Sequence, residues 1–178
     1  MPSRRPRTTA SPLPATAAPQ DAAAWLALDH QLCFALYSAS LAMTKTYKPL
    51  LEPLGLTYPQ YLVMLVLWEG DGVTVSQVGE RLQLDSGTLT PLLKRLQAQG
   101  LLLRQRDAAD ERRVLLQLTA EGRALKARAV AVPQAIACAS ACDLAEIAEL
   151  TTRLKQLRDQ LRDALRQAAN DASPPAAA

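Results

Sequence analysis

A mainly helical chain with one small β-hairpin is the fold class that the sequence predicts, on three observations. Aromatic residues are 4% of the 178 positions and hydrophobic residues 49%. Leu, Ala and Val dominate that share, a balance that favours helices packed on helices over a sheet sandwich. Apolar residues recur in steps of three and four along most of the chain. Only LLLRQR and RVLLQLT read as strands, and the polar DAADER between them fits a hairpin tip.

Residues 1–22 are Pro/Ala-rich, carry Arg4, Arg5 and Arg7, and show no periodicity, so they read as a disordered basic tail. From Ala24, Leu28, Leu32, Leu36 and Leu41 make a helical face with Cys33 beside it, and the helix is expected to end by Pro53. Thr57 caps a second helix with Pro59 in its first turn, running through YLVMLVLW to Gly70. VSQVGERLQ makes a short helix. Asp85-Ser86 then cap a further one, stopped by Gly100, with Pro91 about six residues in, where a bend or a lost hydrogen bond are both open. The hairpin follows. Thr119 caps a long helix with an expected kink at Pro133. The last helix, from about Asp143, places Ile147, Leu150, Leu154, Leu157 and Leu161 in a heptad-like seam suited to a second subunit. Residues 23–169 therefore read as one domain with a DNA-binding lobe at about 57–119, and 170–178 as a second disordered tail.

The formal charge of +3 is carried entirely by the three arginines of the first twenty residues, which hold no acid. Residues 21–178 are neutral in sum, yet Ser86–Arg113 gathers six cations (Lys94, Arg95, Arg104, Arg106, Arg112, Arg113) against three acids (Asp107, Asp110, Glu111). Two helices, a tight turn and a hairpin with charges at its tip make a winged helix–turn–helix plan. In it, Asp85, Ser86, Gly87, Thr88 and Thr90 open the helix that approaches bases and phosphates closely. Lys94 and Arg95 reach phosphates or guanine edges from deeper in it. Arg106, Asp110, Arg112 and Arg113 belong to the hairpin that enters the adjacent minor groove. No apolar run is long enough to span a bilayer, and three cysteines without a CxxC pair do not suggest a secreted framework. A cytoplasmic protein without a cofactor is expected.

The run DSGTLTPLLKRLQAQGLLLR…DERRVLLQLTAEG resembles the MarR family of dimeric transcriptional regulators over roughly residues 26–165. The resemblance implies a homodimer joined by its first and last helices, a pseudo-palindromic duplex as partner, Arg112 in a minor groove and Asp110 orienting it. The subset CFALYSAS…KTYKPLLEPLGLTYPQY is similar to the organic-hydroperoxide-sensing branch of that family. That implies Cys33 as the peroxide-reactive thiol, Tyr47 and Tyr58 as hydrogen-bond donors to it, and Tyr37 lining the same pocket. It also implies a disulfide to Cys138 of the other subunit, with Cys142 one turn beyond, and a repressor released by oxidation.

Chemistry supports that assignment of Cys33. A peroxide is attacked by thiolate, so a sensor thiol needs its anion stabilised. Cys33 is expected two turns into its helix, where the helix dipole has faded, so phenol hydrogen bonds are the available source. Leu32, Phe34, Leu36 and Met43 would favour an organic peroxide over hydrogen peroxide. Other readings are a zinc-gated regulator using His30, Cys33, Cys138 and Cys142, a regulator gated by a phenolic small molecule, and a thiol peroxidase using Cys33 with His30.

Overall fold

The computed structural model describes residues 26–171. The expectations for 1–22, and for the C-terminal tail beyond Asp171, lie outside the described residues. The chain divides at Ala42/Met43 into two compact units, each taken by itself below.

The first unit holds a 3₁₀ turn, Leu28–His30, and the start of helix α1, Leu32–Leu51. Gln31 between them is extended, and its carbonyl accepts from the Phe34 and Ala35 amides at 3.1 Å, which makes it the first acceptor of α1. Cys33 is therefore the second residue of the helix. It lies in the first turn, not two turns in: the 3₁₀ turn Leu28–His30 and the extended Gln31 take up residues 28–31, which the leucine spacing had assigned to the helix. Among the larger apolar residues of this unit, Leu26, Leu28, Leu32, Tyr37 and Leu41 are exposed.

In the second unit α1 ends at Leu51, and Pro53 sits inside a 3₁₀ turn, Glu52–Leu54, closed by Gly55 in the left-handed region. Helix α2, Tyr58–Glu69, starts on a capping box in which Gln60 returns a bond to the Thr57 amide at 2.8 Å. The same device, Thr74 with Gln77, opens α3, Val75–Leu82. Helix α4, Ser86–Ala98, passes through Pro91 without a break; the proline only removes the N–H that would have bonded the Gly87 carbonyl. Strands β2, Leu102–Arg106, and β3, Val114–Leu118, pair antiparallel from Leu102 opposite Leu118 to Arg106 opposite Val114. A third strand, β1, Val73–Thr74, pairs with Leu116 and Leu115, so the sheet order is β1-β3-β2.

Helices α5, Ala120–Ala129, and α6, Ala131–Ser140, replace the single long helix expected there. Pro133 causes the break, which falls one turn before it: the ring has no N–H for the Ala129 carbonyl and crowds that turn. Helix α7, Leu144–Asp171, opens on a reciprocal pair in which Asp143 and Glu146 each cap the other's amide at 2.8 Å. It carries through residues 170 and 171.

The core is one cluster built on Leu51, Met64, Leu67, Val78, Leu89, Leu93, Leu96, Leu102 and Leu116, all at most 1% exposed. It joins α2, α3, α4 and the sheet, and thereby holds α4 against the foot of the hairpin. The base of the hairpin meets α5 at Gly122, where a Cβ would lie 2.0 Å from the Leu101 carbonyl oxygen. Only glycine allows that approach.

Candidate nucleic-acid interface and thiol site

At the start of α4 the Asp85 carboxylate accepts from the Thr88 amide at 2.8 Å and from the Thr88 hydroxyl at 2.9 Å. These bonds hold the Asp85 carboxyl below the usual aspartate range. Two of the five small polar residues expected at the interface thus spend their side chains on the helix cap. Ser86 and Gly87 are exposed beside them, Thr90 is half-buried, and Lys94 and Arg95 lie exposed further along. A core of Leu89, Leu93 and Leu96 buries the opposite face of α4, which is what leaves these groups pointing outward.

The hairpin tip is built by its own aspartates. Asp107 accepts from the Ala109 amide and Asp110 from the Arg112 amide, while the Asp107 amide bonds the Arg113 carbonyl. The Asp110 carboxylate also meets the Arg112 guanidinium at 3.5 Å, and Asp107 meets Arg113 at 3.8 Å. Arg112 is 94% exposed. A pair this open is worth little for stability. Arg106, the last residue of β2, is exposed, and Arg104 on the same face has a buried Nε with no partner among the described residues.

Tyr47 and Tyr58 come together with ring centroids 4.7 Å apart. Tyr61, which the sequence reading passed over, completes the group at 5.9 Å from Tyr47, and Trp68 follows at 6.3 Å from Tyr61. Its signal was present: Tyr58 and Tyr61 are three apart on α2, hence one face of one helix. Burial raises all three phenols above their ordinary value, and for Tyr47 the neighbouring Tyr58 and Tyr61 add to the effect. These are phenols that keep their protons, so they are donors. Tyr37 belongs to the other unit and is 61% exposed.

The three cysteines are free thiols. Cys33 is exposed in the first turn of α1. Cys138 is exposed in the last turn of α6. Cys142 is half-buried, and its thiol donates to the Ser140 carbonyl at 3.3 Å. No three His, Cys, Asp or Glu side chains gather as a metal site among the described residues, so the zinc reading gains nothing from the geometry of one chain. No single helix among them is long and apolar enough to cross a membrane. A cleft of about 190 Å³ lined by Tyr61, Leu65, Trp68, Lys126, Val130 and Pro133 lies between α2 and the α5–α6 joint.

Residues 45–129 match the family model described as transcriptional regulator SarA/Rot. The organic hydroperoxide resistance transcriptional regulator of Bacillus subtilis (strain 168) is 57% identical over 109 residues, which is 61% of this chain and 74% of that protein. Among solved structures, reduced AbfR bound to DNA matches with a TM-score of 0.67 and 36% identity, covering 78% of this chain and 94% of that one. The disulfide-formed structure of AbfR, a Staphylococcus epidermidis protein, matches at 0.54 and 35%, covering 81% and 96%. An outward-facing helix beside an arginine-tipped hairpin, on a chain with these relatives, belongs to the MarR family of transcriptional regulators.

Proposed function

We propose that this protein is a redox-sensing repressor of the organic-hydroperoxide branch. It binds a pseudo-palindromic operator as a homodimer when reduced and leaves it when Cys33 is oxidised. The observation that carries this reading is the cluster of protonated phenols, Tyr47 with Tyr58 and Tyr61. Three tyrosines gathered at tilted ring angles put several phenols in one place, and half-buried phenols stabilise an anion without adding formal charge. The B. subtilis relative is named for organic hydroperoxide resistance, and AbfR is described both on DNA and as a disulfide.

The chemistry runs in two balanced steps. The Cys33 thiolate attacks the distal peroxide oxygen, the O–O bond breaks, and the alkoxide takes a proton to leave as alcohol; Cys33 is left as a sulfenic acid. A second thiol then displaces its hydroxyl as water and forms the disulfide. Cys138 fits that second role better than Cys142, because Cys138 is exposed while the Cys142 thiol is engaged by the Ser140 carbonyl. Cys33 and Tyr47 belong to different compact units of the chain. The reading has the tyrosines serve Cys33 within the homodimer, and the exposed apolar residues of the first unit and of α7 are suited to bring a second copy there.

On DNA, α4 presents Ser86, Gly87, Thr90, Lys94 and Arg95 to the major groove, and Arg112 enters the minor groove held by Asp110. Asp85 and Thr88 act by shaping the end of α4. Arg106 and Arg113 supply charge toward phosphates, which makes affinity fall steeply with salt. Such a repressor acts in the cytoplasm, on DNA.

One equivalent of an organic hydroperoxide followed by a non-reducing gel tests the thiol part. A covalent dimer is expected in wild type and absent in Cys33→Ser and Cys138→Ser, forming more slowly in Tyr47→Phe. No covalent dimer, with Cys33 still titrating as a free thiol, overturns it and favours a small-molecule effector. For that second reading the cleft beside Tyr61 and Trp68 is the site to examine.

A further inference from the structure

Asp71, in the loop between α2 and β1, has no part in the reading above, and both of its carboxylate oxygens are used. Oδ1 accepts from the Gly72 amide at 3.0 Å and from the Leu118 amide at 2.8 Å; Oδ2 is paired with the Arg123 guanidinium of α5. Leu118 is the last residue of β3. On that side of β3 the ladder has already run out, because β1 pairs only with Leu115 and Leu116. A carboxylate from 47 residues away takes the place of the missing strand.

Neighbouring residues tie α5 to α2 and to the foot of the hairpin. The Trp68 indole donates to the Gly122 carbonyl at 2.8 Å, and Lys126 donates to the Trp68 carbonyl at 2.8 Å. The Thr119 hydroxyl donates to the Gly100 carbonyl at 2.6 Å and accepts from the Gly122 amide at 3.0 Å. Toward its tip the hairpin has no such support. It is two strands wide beyond β1, and five paired residues carry the tip about 14 Å from Leu118. At that length a tilt of about 10° at the root moves Arg112 by about 2–3 Å, enough to lose a hydrogen bond in a groove.

We propose that Asp71 is a positioning residue for DNA binding: by taking the Leu118 amide and the Arg123 guanidinium together, it fixes the angle of the hairpin and so the place of Arg112. The inference rests on the reading of Arg112 as a minor-groove contact. It also makes the hairpin follow α5, the helix that leads into the segment bearing Cys138.

A double-mutant cycle tests it. The probe is a duplex that the wild-type protein selects from a randomised pool, and the variants are Asp71→Ala, Arg112→Ala and the pair. Each single change is expected to weaken binding about ten-fold, and the pair little more than either alone, because Asp71 acts through Arg112. A ten-fold loss from Asp71→Ala that persists in the Arg112→Ala background, or no loss at all, overturns the assignment, since a general structural role would add. Arg123 is exposed, so Arg123→Met keeps the cycle available if Asp71→Ala does not fold. It is expected to cost about three-fold alone and nothing further with Arg112→Ala; a full further three-fold loss, or none from Arg123→Met alone, overturns the proposal. An Arg112→Ala protein that binds the duplex like wild type removes the minor-groove reading, and the role of Asp71 falls with it. A ten-fold loss from Arg112→Ala with an additive Asp71→Ala keeps that reading and rejects only the further step.

Discussion

The leucines of the α2–α5 lobe and those of α7 are equally regular in sequence and opposite in burial. Leu89, Leu93 and Leu96 of α4 are at most 1% exposed, whereas Leu150, Leu154 and Leu161 of α7 are between 49% and 56% exposed and α7 has no buried residue. A three-and-four spacing identifies a face; it does not say what covers the face. In the lobe the cover comes from the same chain, from α2, α3 and the sheet. In α7, Ile147 and Leu157 are half-buried while Leu150, Leu154 and Leu161 stay exposed, and a second copy is the occupant that the proposed function assigns to them.

Breaking the covered side gives the largest expected effect. Leu93→Ala removes a side chain with no exposure from the centre of the lobe and should cost about 2–5 kcal/mol of folding stability. Denaturant unfolding checks this, with a midpoint shift independent of protein concentration. Breaking the uncovered side should look different. Leu154→Glu with Leu161→Glu is expected to leave the lobe's unfolding midpoint in place while sedimentation shows a monomer and duplex affinity falls about a hundred-fold, through loss of bivalent binding. A change in lobe stability of the Leu93→Ala kind would instead mean that α7 is covered within its own chain.

The smallest effect sharpens the comparison within α4 itself, between its buried and its outward side. The folded Asp85 carboxyl sits below its unfolded value, so the cap's contribution is present above the ordinary aspartate range and is lost as the pH falls through the folded value. Thermal melts of wild type and Asp85→Ala should therefore differ at pH 6 and converge in acid. A difference that persists unchanged at the lowest pH would remove the carboxylate from the cap.

Most of the element order was legible because it is written in local signals. Thr57, Thr74, Asp85 and Thr119 each cap a helix through bonds within three residues of where they stand. The misreadings have non-local or unmarked causes. Strand β1 is two residues long, too short for any alternation, and exists only because β3 passes beside it. The late start of α1 depends on an extended Gln31 that neither Gly nor Pro announces, and it moves Cys33 from mid-helix to first turn. Pro133 was read as a kink, whereas its effect lands on the carbonyl one turn earlier. The family pattern singled out Tyr47 and Tyr58, and it singled out neither Tyr61 nor Asp71. Asp71 in particular reaches partners 47 and 52 residues away, which no spacing rule encodes.

The sheet order β1-β3-β2 has a consequence for a protein that must stay dispersed in a crowded cell. It leaves β2 as an open edge whose outer peptide groups are a template for another strand. β2 is only five residues long and carries Arg104 and Arg106 on one face, so a second hairpin docking there would bring like charges into register. The cations of this edge strand thus repel the hairpin's own copies.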